Sequence, residues 1–99
     1  MPTYRQIDSE QITVATTAIG LTASKLTANL VYAICRVSTA EIRITCKGTP
    51  TASAGGVIKG TDEEFEVWGE PDLKGFLAIR TGSVSGKVDV IFMGTPAEG

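Results

Sequence analysis

Short segments in which apolar and polar residues alternate constrain this chain more than any other feature. Successive side chains of a β-strand point to opposite faces, so alternation with a period of two is typical of strands with one buried face. About six or seven such segments are separated by clusters of Gly, Pro, Ser and Thr. The composition agrees, because 8 Val, 9 Ile and 13 Thr account for 30 of the 99 residues, against only 5 Leu. We predict an all-β fold, an antiparallel β-sandwich or jelly-roll-like barrel of six to eight strands.

The length of the chain fits one domain. Secure alternation begins at residue 11 and ends near residue 93, and the last residues have no apolar pattern. We therefore predict an N-terminal arm over residues 1–10, a single β domain over residues 11–93 and a flexible tail over residues 94–99. The start of the chain is polar and its apolar runs are short, so we predict that it has no signal peptide and no membrane-spanning segment.

Two pairs of segments predict β-hairpins. Residues 30–37 and 41–47 flank a short turn, and residues 76–80 and 87–92 flank a connector rich in Gly and Ser. Within each strand the alternation also predicts which side chains point inward. The predicted core consists of Ile12, Val14, Ile34, Ile42, Ile44, Phe65, Val67, Leu77, Ile79, Val88, Val90 and Phe92. At residues 76–79 the pattern leaves an alternative, in which Phe76 and Ala78 point inward in place of Leu77 and Ile79.

Three connecting regions have distinct sequence signals. The small residues at 48–56 predict a long surface loop, because they bury little apolar area, and residues 57–59 follow as an edge strand. At residues 69–75 a Gly and a Pro predict a break and a bend. Residues 23–29 are predicted as a loop, since the stretch is short and contains mediocre helix formers.

Charge and the absence of histidine exclude several classes of function. Nine basic and eleven acidic side chains give a net charge of -2, so the electrostatic attraction that dominates nucleic-acid binding is missing. Without histidine, the Ser-His-Asp and Cys-His catalytic arrangements and mixed zinc sites cannot form. We therefore predict a protein that is not an enzyme, with no catalytic residues, no cofactor or metal, and no nucleic-acid partner.

Two groups of residues have a structural and a functional interpretation. Cys35 and Cys46 would face each other in the first predicted hairpin, where a disulfide is possible, but we expect two reduced, structural thiols in a cytosolic protein. The acidic residues between 62 and 72 have the oxygen ligands that calcium prefers. Their spacing matches no regular calcium loop, so we expect a solvated face instead.

The candidate interface residues are aromatic or lie in the predicted arm. Trp68 ends a strand on the face opposite Phe65 and Val67, which fits either a cap or a contact, and aromatic residues are frequent at the centres of protein interfaces. The arm contains more apolar material than a free tail needs. The predicted interface consists of Tyr4, Arg5, Ile7, Trp68 and Phe76.

Four stretches of the sequence resemble small virion proteins of tailed bacteriophages. They are CRVSTAEIR at residues 35–43, GTPTASAG at 48–55, LKGFLAIR at 73–80 and GKVDV at 86–90. The resemblance covers about two thirds of the chain. It implies a structural virion protein, most simply a capsid decoration or cement protein that binds and stabilises the head shell. A tail, head-fibre or other virion component is the alternative within the same class.

The resemblance also implies partners and a location. We expect the chain to bind the major capsid protein or another virion protein, to form homo-oligomers, and to contact neither nucleic acid nor membrane. It would be assembled in the cytoplasm of the bacterial host and reside in the virion. An alternative from another class is a small carbohydrate-binding β module, in which Trp68 or Tyr4 would stack on a sugar ring.

Overall fold

Two antiparallel β-sheets, packed as a sandwich, form this protein in a computed structural model that describes residues 4–95. This architecture confirms the predicted all-β sandwich. A 3₁₀ turn lies at Ala23–Lys25, between the first two strands. The remaining elements are β1 (Arg5–Val14), β2 (Leu30–Ser38), β3 (Ile42–Thr45), β4 (Val57–Lys59), β5 (Glu64–Trp68), α1 (Glu70–Gly75), β6 (Leu77–Arg80) and β7 (Gly86–Gly94).

The strand order separates most strands that are consecutive in sequence. One sheet has the order β1-β7-β2-β5 and the other the order β4-β3-β6. Among the strands within residues 4–95, only β3 and β4 are both consecutive in sequence and hydrogen-bonded to each other. A further bridge between Ile19 and Ala78 adds backbone hydrogen bonds along the edge of β6.

Both hairpin predictions are wrong, because the turns cross from one sheet to the other. β2 pairs with β5 and β7, whereas β3 pairs with β4 and β6, so the turn at residues 38–40 spans the sandwich. Thr39 adopts a φ of 74° in this turn, a left-handed conformation that is uncommon for a β-branched residue. The connector at residues 81–86 likewise joins β6 of one sheet to β7 of the other.

The core lies between the sheets and is built from alternate residues of the strands. Most of the predicted inward positions are confirmed. The predicted residues that belong to the buried core are Ile12, Val14, Ile42, Ile44, Val67, Val88, Val90 and Phe92.

Four core predictions need correction. Ile34 is half-buried and faces outward, because the smaller Ala33 and Cys35 occupy the inward positions of β2. Phe65 is half-buried and packs against the edge of the core. In β6 the inward residue is Ala78, which is fully buried and pairs with Ile44. Leu77 and Ile79 therefore lie on the opposite face, and Ile79 is outside the core although it is only 8% exposed.

The predicted arm is part of the first strand. β1 begins at Arg5 and pairs with β7 from that residue onward, and Ile7 packs against the core. At the other end, Gly94 still belongs to β7, and the amide of Thr95 donates a hydrogen bond of 3.0 Å to the carbonyl of Asn29. Residues 1–3 of the predicted arm and 96–99 of the predicted tail lie outside the described residues.

The connecting regions agree in part with the predictions. The 48–56 loop is exposed except for Pro50, and β4 is an edge strand, as predicted. Instead of a bend, residues 70–75 form α1, which has a proline in its first turn and a buried Leu73 that anchors it to the core. No helix within residues 4–95 is long and apolar enough to cross a membrane.

Candidate protein-interaction surface

The outward side of the four-stranded sheet, here called the outer face, has exposed or half-buried apolar side chains on neighbouring strands. Alternation along β7 buries Val88, Val90 and Phe92 and leaves Ile91 38% exposed on the opposite side. The pairing register places Ile91 beside Ile34 of β2. The two isoleucines therefore form the apolar middle of the outer face, where the central strands β7 and β2 meet.

Three aromatic side chains pack together at one end of the outer face. Tyr32 of β2 and Trp68 of β5 are cross-strand partners, and their rings stack with centroids 4.0 Å apart and planes 4° apart. Tyr4 meets both rings edge to face, at 5.7 Å from Tyr32 and 6.1 Å from Trp68. Each such pair contributes about 0.5–1.5 kcal/mol beyond its buried area. The cluster is thus held in one arrangement before any partner binds.

Trp68 remains accessible within this cluster. Its side chain is 47% exposed, and its indole Nε1 donates a 2.8 Å hydrogen bond to Oε1 of Glu66. Met93 of β7 lies beside Tyr32 in the register and links the aromatic rings to the isoleucines. Together these residues form one patch, here called the aromatic–apolar patch: Tyr4, Tyr32, Ile34, Trp68, Ile91 and Met93.

Charged and polar residues occupy the other end of the outer face. Arg36 of β2 lies between Asp89 of β7 and Glu64 of β5 in the register. Nε2 of Gln11 donates a 2.7 Å hydrogen bond to Oδ1 of Asp89. Nη2 of Arg36 also lies 3.7 Å from Oδ1 of Asp62. Both side chains are mostly exposed, so this ion pair contributes little to stability. The guanidinium therefore remains accessible to a partner.

The structure brings together only some of the predicted interface residues. Tyr4 and Trp68 meet in the aromatic–apolar patch, and Arg5 is exposed beside Tyr4 at the start of β1. Ile7 packs against the core instead. Phe76 is 1% exposed and stacks against Phe65, so its prediction as a contact residue is wrong.

Four patch residues were not predicted from the sequence. The signal for Ile91 and Met93 was present, because a strand that buries Val88, Val90 and Phe92 must turn the residues between them outward. The alternation predicts Ile34 in the core, and Tyr32 has apolar neighbours on both sides in sequence. Only the pairing of β2 with β5 reveals that Tyr32 adjoins Trp68.

Cys35 and Cys46 are free thiols. The prediction that they face each other across a hairpin is wrong, because β2 and β3 belong to different sheets. Burial raises the pKa of Cys35 to about 12, with a further increase from Cys46. The pKa of Cys46 is also raised, first by burial and second by the nearby negative charge of Asp72. Both thiols are therefore protonated at neutral pH and are poor nucleophiles.

The acidic residues between 62 and 72 do not converge on a cation site. Within the part of the chain that the structure describes, no three Cys, Asp or Glu side chains lie close enough to hold a metal ion together.

Comparison of the sequence and structure with family models, curated proteins and solved structures finds no match. The proposals below are therefore argued from the surface of this chain.

Proposed function

We propose that this chain is a structural protein of a bacteriophage virion, most simply a capsid decoration or cement protein, that binds protein partners through its outer face. The aromatic–apolar patch is the observation that supports a role in protein assembly. Contiguous exposed apolar area on a small protein is characteristic of an interaction site. Aromatic residues and Met are enriched at the centres of interfaces, and Trp, Tyr and Arg dominate their binding energy.

The geometry of the patch favours binding without rearrangement. Tyr32 and Trp68 restrain each other by stacking, and Tyr4 packs against both rings. Ordering a free side chain on binding costs about 0.5–1.5 kcal/mol. Because the rings are already ordered, little of this cost is added when a partner binds. The charged residues at the opposite end of the outer face, including Arg36 and Asp89, would set the orientation of the bound protein.

The virion assignment adds a partner class to this surface. It is supported by the resemblance of residues 35–43, 48–55, 73–80 and 86–90 to small phage virion proteins. A domain of this size reinforces a shell when many copies bind a repeated lattice, because linked contacts gain from effective concentration. The proposed partners are the major capsid protein or another virion protein, with assembly in the bacterial cytoplasm.

A carbohydrate-binding module is the second candidate, and the exposure of Trp68 is the observation that favours it. A sugar ring would stack on the indole face that points away from Tyr32. Tyr32 already covers the other indole face, and Tyr4 meets the ring at 76° rather than extending a flat platform. The cluster therefore offers one stacking surface, less than a module for a sugar chain would use.

Co-sedimentation with heads purified from the phage that encodes the chain tests the proposal. We expect the wild-type protein to bind heads and Trp68→Ala to bind at least about tenfold more weakly, since an interface tryptophan is commonly worth over 1.4 kcal/mol. Val84→Ser is the matched control, because Val84 is 56% exposed on the connector between β6 and β7, away from the outer face.

Three outcomes of this experiment would contradict the proposal, two of them in its decoration assignment and the third in its choice of the outer face. Binding to purified tails but not to heads would favour a tail component. Binding to a glycan array, lost in Trp68→Ala and absent for heads, would favour the carbohydrate module. Equal loss of head binding in Trp68→Ala and Val84→Ser would place the contact somewhere other than the outer face.

A further inference from the structure

We infer that the outer face binds a second copy of this chain, related by a two-fold axis that runs parallel to the strands and midway between β7 and β2. The inference rests on the proposed function only in taking the outer face as a protein-docking surface. A two-fold interface uses the same surface on both copies, so that surface must be complementary to itself. The outer face is complementary to itself when the two-fold axis runs parallel to the strands.

The register of the two central strands supplies this complementarity. Ile34 pairs with Ile91, and Arg36 pairs with Asp89, across the line between β2 and β7. A two-fold axis along this line exchanges the two strands between copies. Ile34 of one copy therefore lies against Ile91 of the other, and Arg36 lies against Asp89. Each contact occurs twice, so the dimer has an apolar centre and two ion pairs, each between Arg36 of one copy and Asp89 of the other.

The outer strands fit the same axis. It places β5 of one copy against β1 of the other, so that Glu66 faces Ser9 and Glu64 faces Gln11. Both carboxylates then meet side chains that can donate hydrogen bonds. No acidic side chain in these two rows faces another acidic side chain.

The other two-fold direction is unfavourable. An axis that crosses the strands through the isoleucine row would place Glu66 against its own equivalent in the second copy. It would also place Arg36 against Tyr32 and Asp89 against Met93. Like charges would then meet and a carboxylate would be buried without a partner, and both cost free energy. The arrangement of charges thus selects the axis parallel to the strands.

The size of the face sets the expected strength. Four strands spaced about 4.8 Å apart, over about eight residues at 3.3 Å each, give a footprint of roughly 500 Å² per copy. Two copies would bury about 1,000 Å², which is the lower limit for a specific interface. Face-to-face sheets pack within about 30° of alignment, which keeps the central contacts in place. We expect a reversible dimer with a dissociation constant in the micromolar range.

A charge-swap experiment tests the axis directly. Sedimentation equilibrium of the full chain from about 1 to 500 µM should show a monomer–dimer equilibrium. Arg36→Glu places two acidic pairs in the homodimer and Asp89→Lys places two basic pairs, so each variant alone should dimerise at least about tenfold more weakly. An equimolar mixture of the two variants should recover dimerisation, because every introduced charge then faces an opposite one.

Lys47→Glu is the matched control, since Lys47 is exposed and follows β3 in the other sheet. This charge reversal should leave the dimer unchanged. Ile91→Ser provides a second variant that weakens the dimer without a change of charge. Circular dichroism of each variant should match the wild type, as the substituted side chains are exposed.

The outcomes separate this inference from the proposed function. A wild-type protein that stays monomeric at 500 µM overturns the inference, and if it still binds heads the proposed function stands. A dimer that persists in both charge variants, or a mixture that fails to recover dimerisation, also overturns it. A second copy and a head would compete for the outer face, so head binding is measured at about 1 µM, the low end of the concentration range. A dimer that recovers in the mixture, with no head binding at this concentration, supports the inference and contradicts the decoration assignment.

Discussion

Trp68 illustrates how a large aromatic side chain is held on the surface by its neighbours. Tyr32 covers one face of the indole, Tyr4 packs against the ring, and Glu66 accepts the hydrogen bond of the indole N–H. The polar atom is satisfied, yet nearly half of the side chain stays in contact with solvent. The neighbours thus restrain the side chain while leaving apolar area available to a partner.

The buried thiol of Cys35 makes the free energy of unfolding decrease as the pH rises into the alkaline range. The thiol is fully buried, which raises its pKa to about 12 from an ordinary value of 9.0. Between these two values the folded state binds more protons than the unfolded state. The contribution of Cys35 to stability is therefore complete below pH 9 and is lost as the pH rises towards 12, by roughly 2 kcal/mol at pH 10.5.

Urea unfolding of the wild type and Cys35→Ala at pH 8 and pH 10.5 measures this effect. The variant should be less stable at pH 8, by about 1 kcal/mol through lost packing. It should lose less stability than the wild type between the two pH values. The other groups that titrate in this range are common to both proteins and cancel. An identical loss in both would show that Cys35 is not the group responsible.

At the scale of strands, the sequence predicts orientation well where only one face is apolar. In β7 the inward Val88, Val90 and Phe92 alternate with Lys87 and Asp89, and the prediction is confirmed. Around Ile34 the strand β2 is apolar on both sides, so either orientation fits the pattern. The structure decides in favour of the smaller inward residues. The same ambiguity hid the outward position of Ile34 in the candidate interface.

Strand pairing depends on information that the local sequence lacks. The connectors at residues 38–40 and 81–86 are short and turn-forming, which suits either a hairpin or a crossing between sheets. The choice depends on which strands together bury both inner faces, a property of the whole domain. The longer 48–56 loop joins β3 to its true neighbour β4. Tyr4 and Trp68 were predictable as exposed aromatics, whereas their contact through Tyr32 required the pairing.

Gly56 controls the pairing of β3 with β4. It precedes β4 with a φ of 79°, and a Cβ at this position would overlap the carbonyl oxygen of Ile44. Gly48 has a similar φ of 85° but no neighbouring atom within 4 Å. Gly48→Ala should cost about 1–2 kcal/mol through backbone strain alone. Gly56→Ala should cost at least about 2 kcal/mol more, because β3 or β4 must move.

Urea unfolding of both glycine variants compares these costs, and Gly82→Ala is a reference without either effect. Gly82 has open space around its Cβ position and is not among the glycines with positive φ. Its substitution should change the free energy of unfolding by less than about 1 kcal/mol. Equal destabilisation by Gly48→Ala and Gly56→Ala would show that the contact with Ile44 is relieved without cost.

For the molecule as a whole, the topology makes most of the sheet pairing non-local. β1, near the start of the chain, pairs with β7, near its end, and β2 pairs with both β5 and β7. Loop closure must therefore precede most of the stabilising contacts. Within residues 4–95, only β3 and β4 form a pair that is consecutive in sequence. A fragment limited to one predicted hairpin would lack the strands with which it pairs in the sandwich.

This topology predicts slow, cooperative folding. Proteins dominated by non-local β pairing fold in milliseconds to seconds, and we expect the same for the main refolding phase of this chain. Trp68 is the single tryptophan, and it stacks on Tyr32 only after β2 and β5 have paired. Stopped-flow tryptophan fluorescence and far-UV circular dichroism should therefore recover with one rate constant in the main phase. If the native fluorescence returned before the circular dichroism, the aromatic cluster would form ahead of the sheet, and pairing would not be its cause.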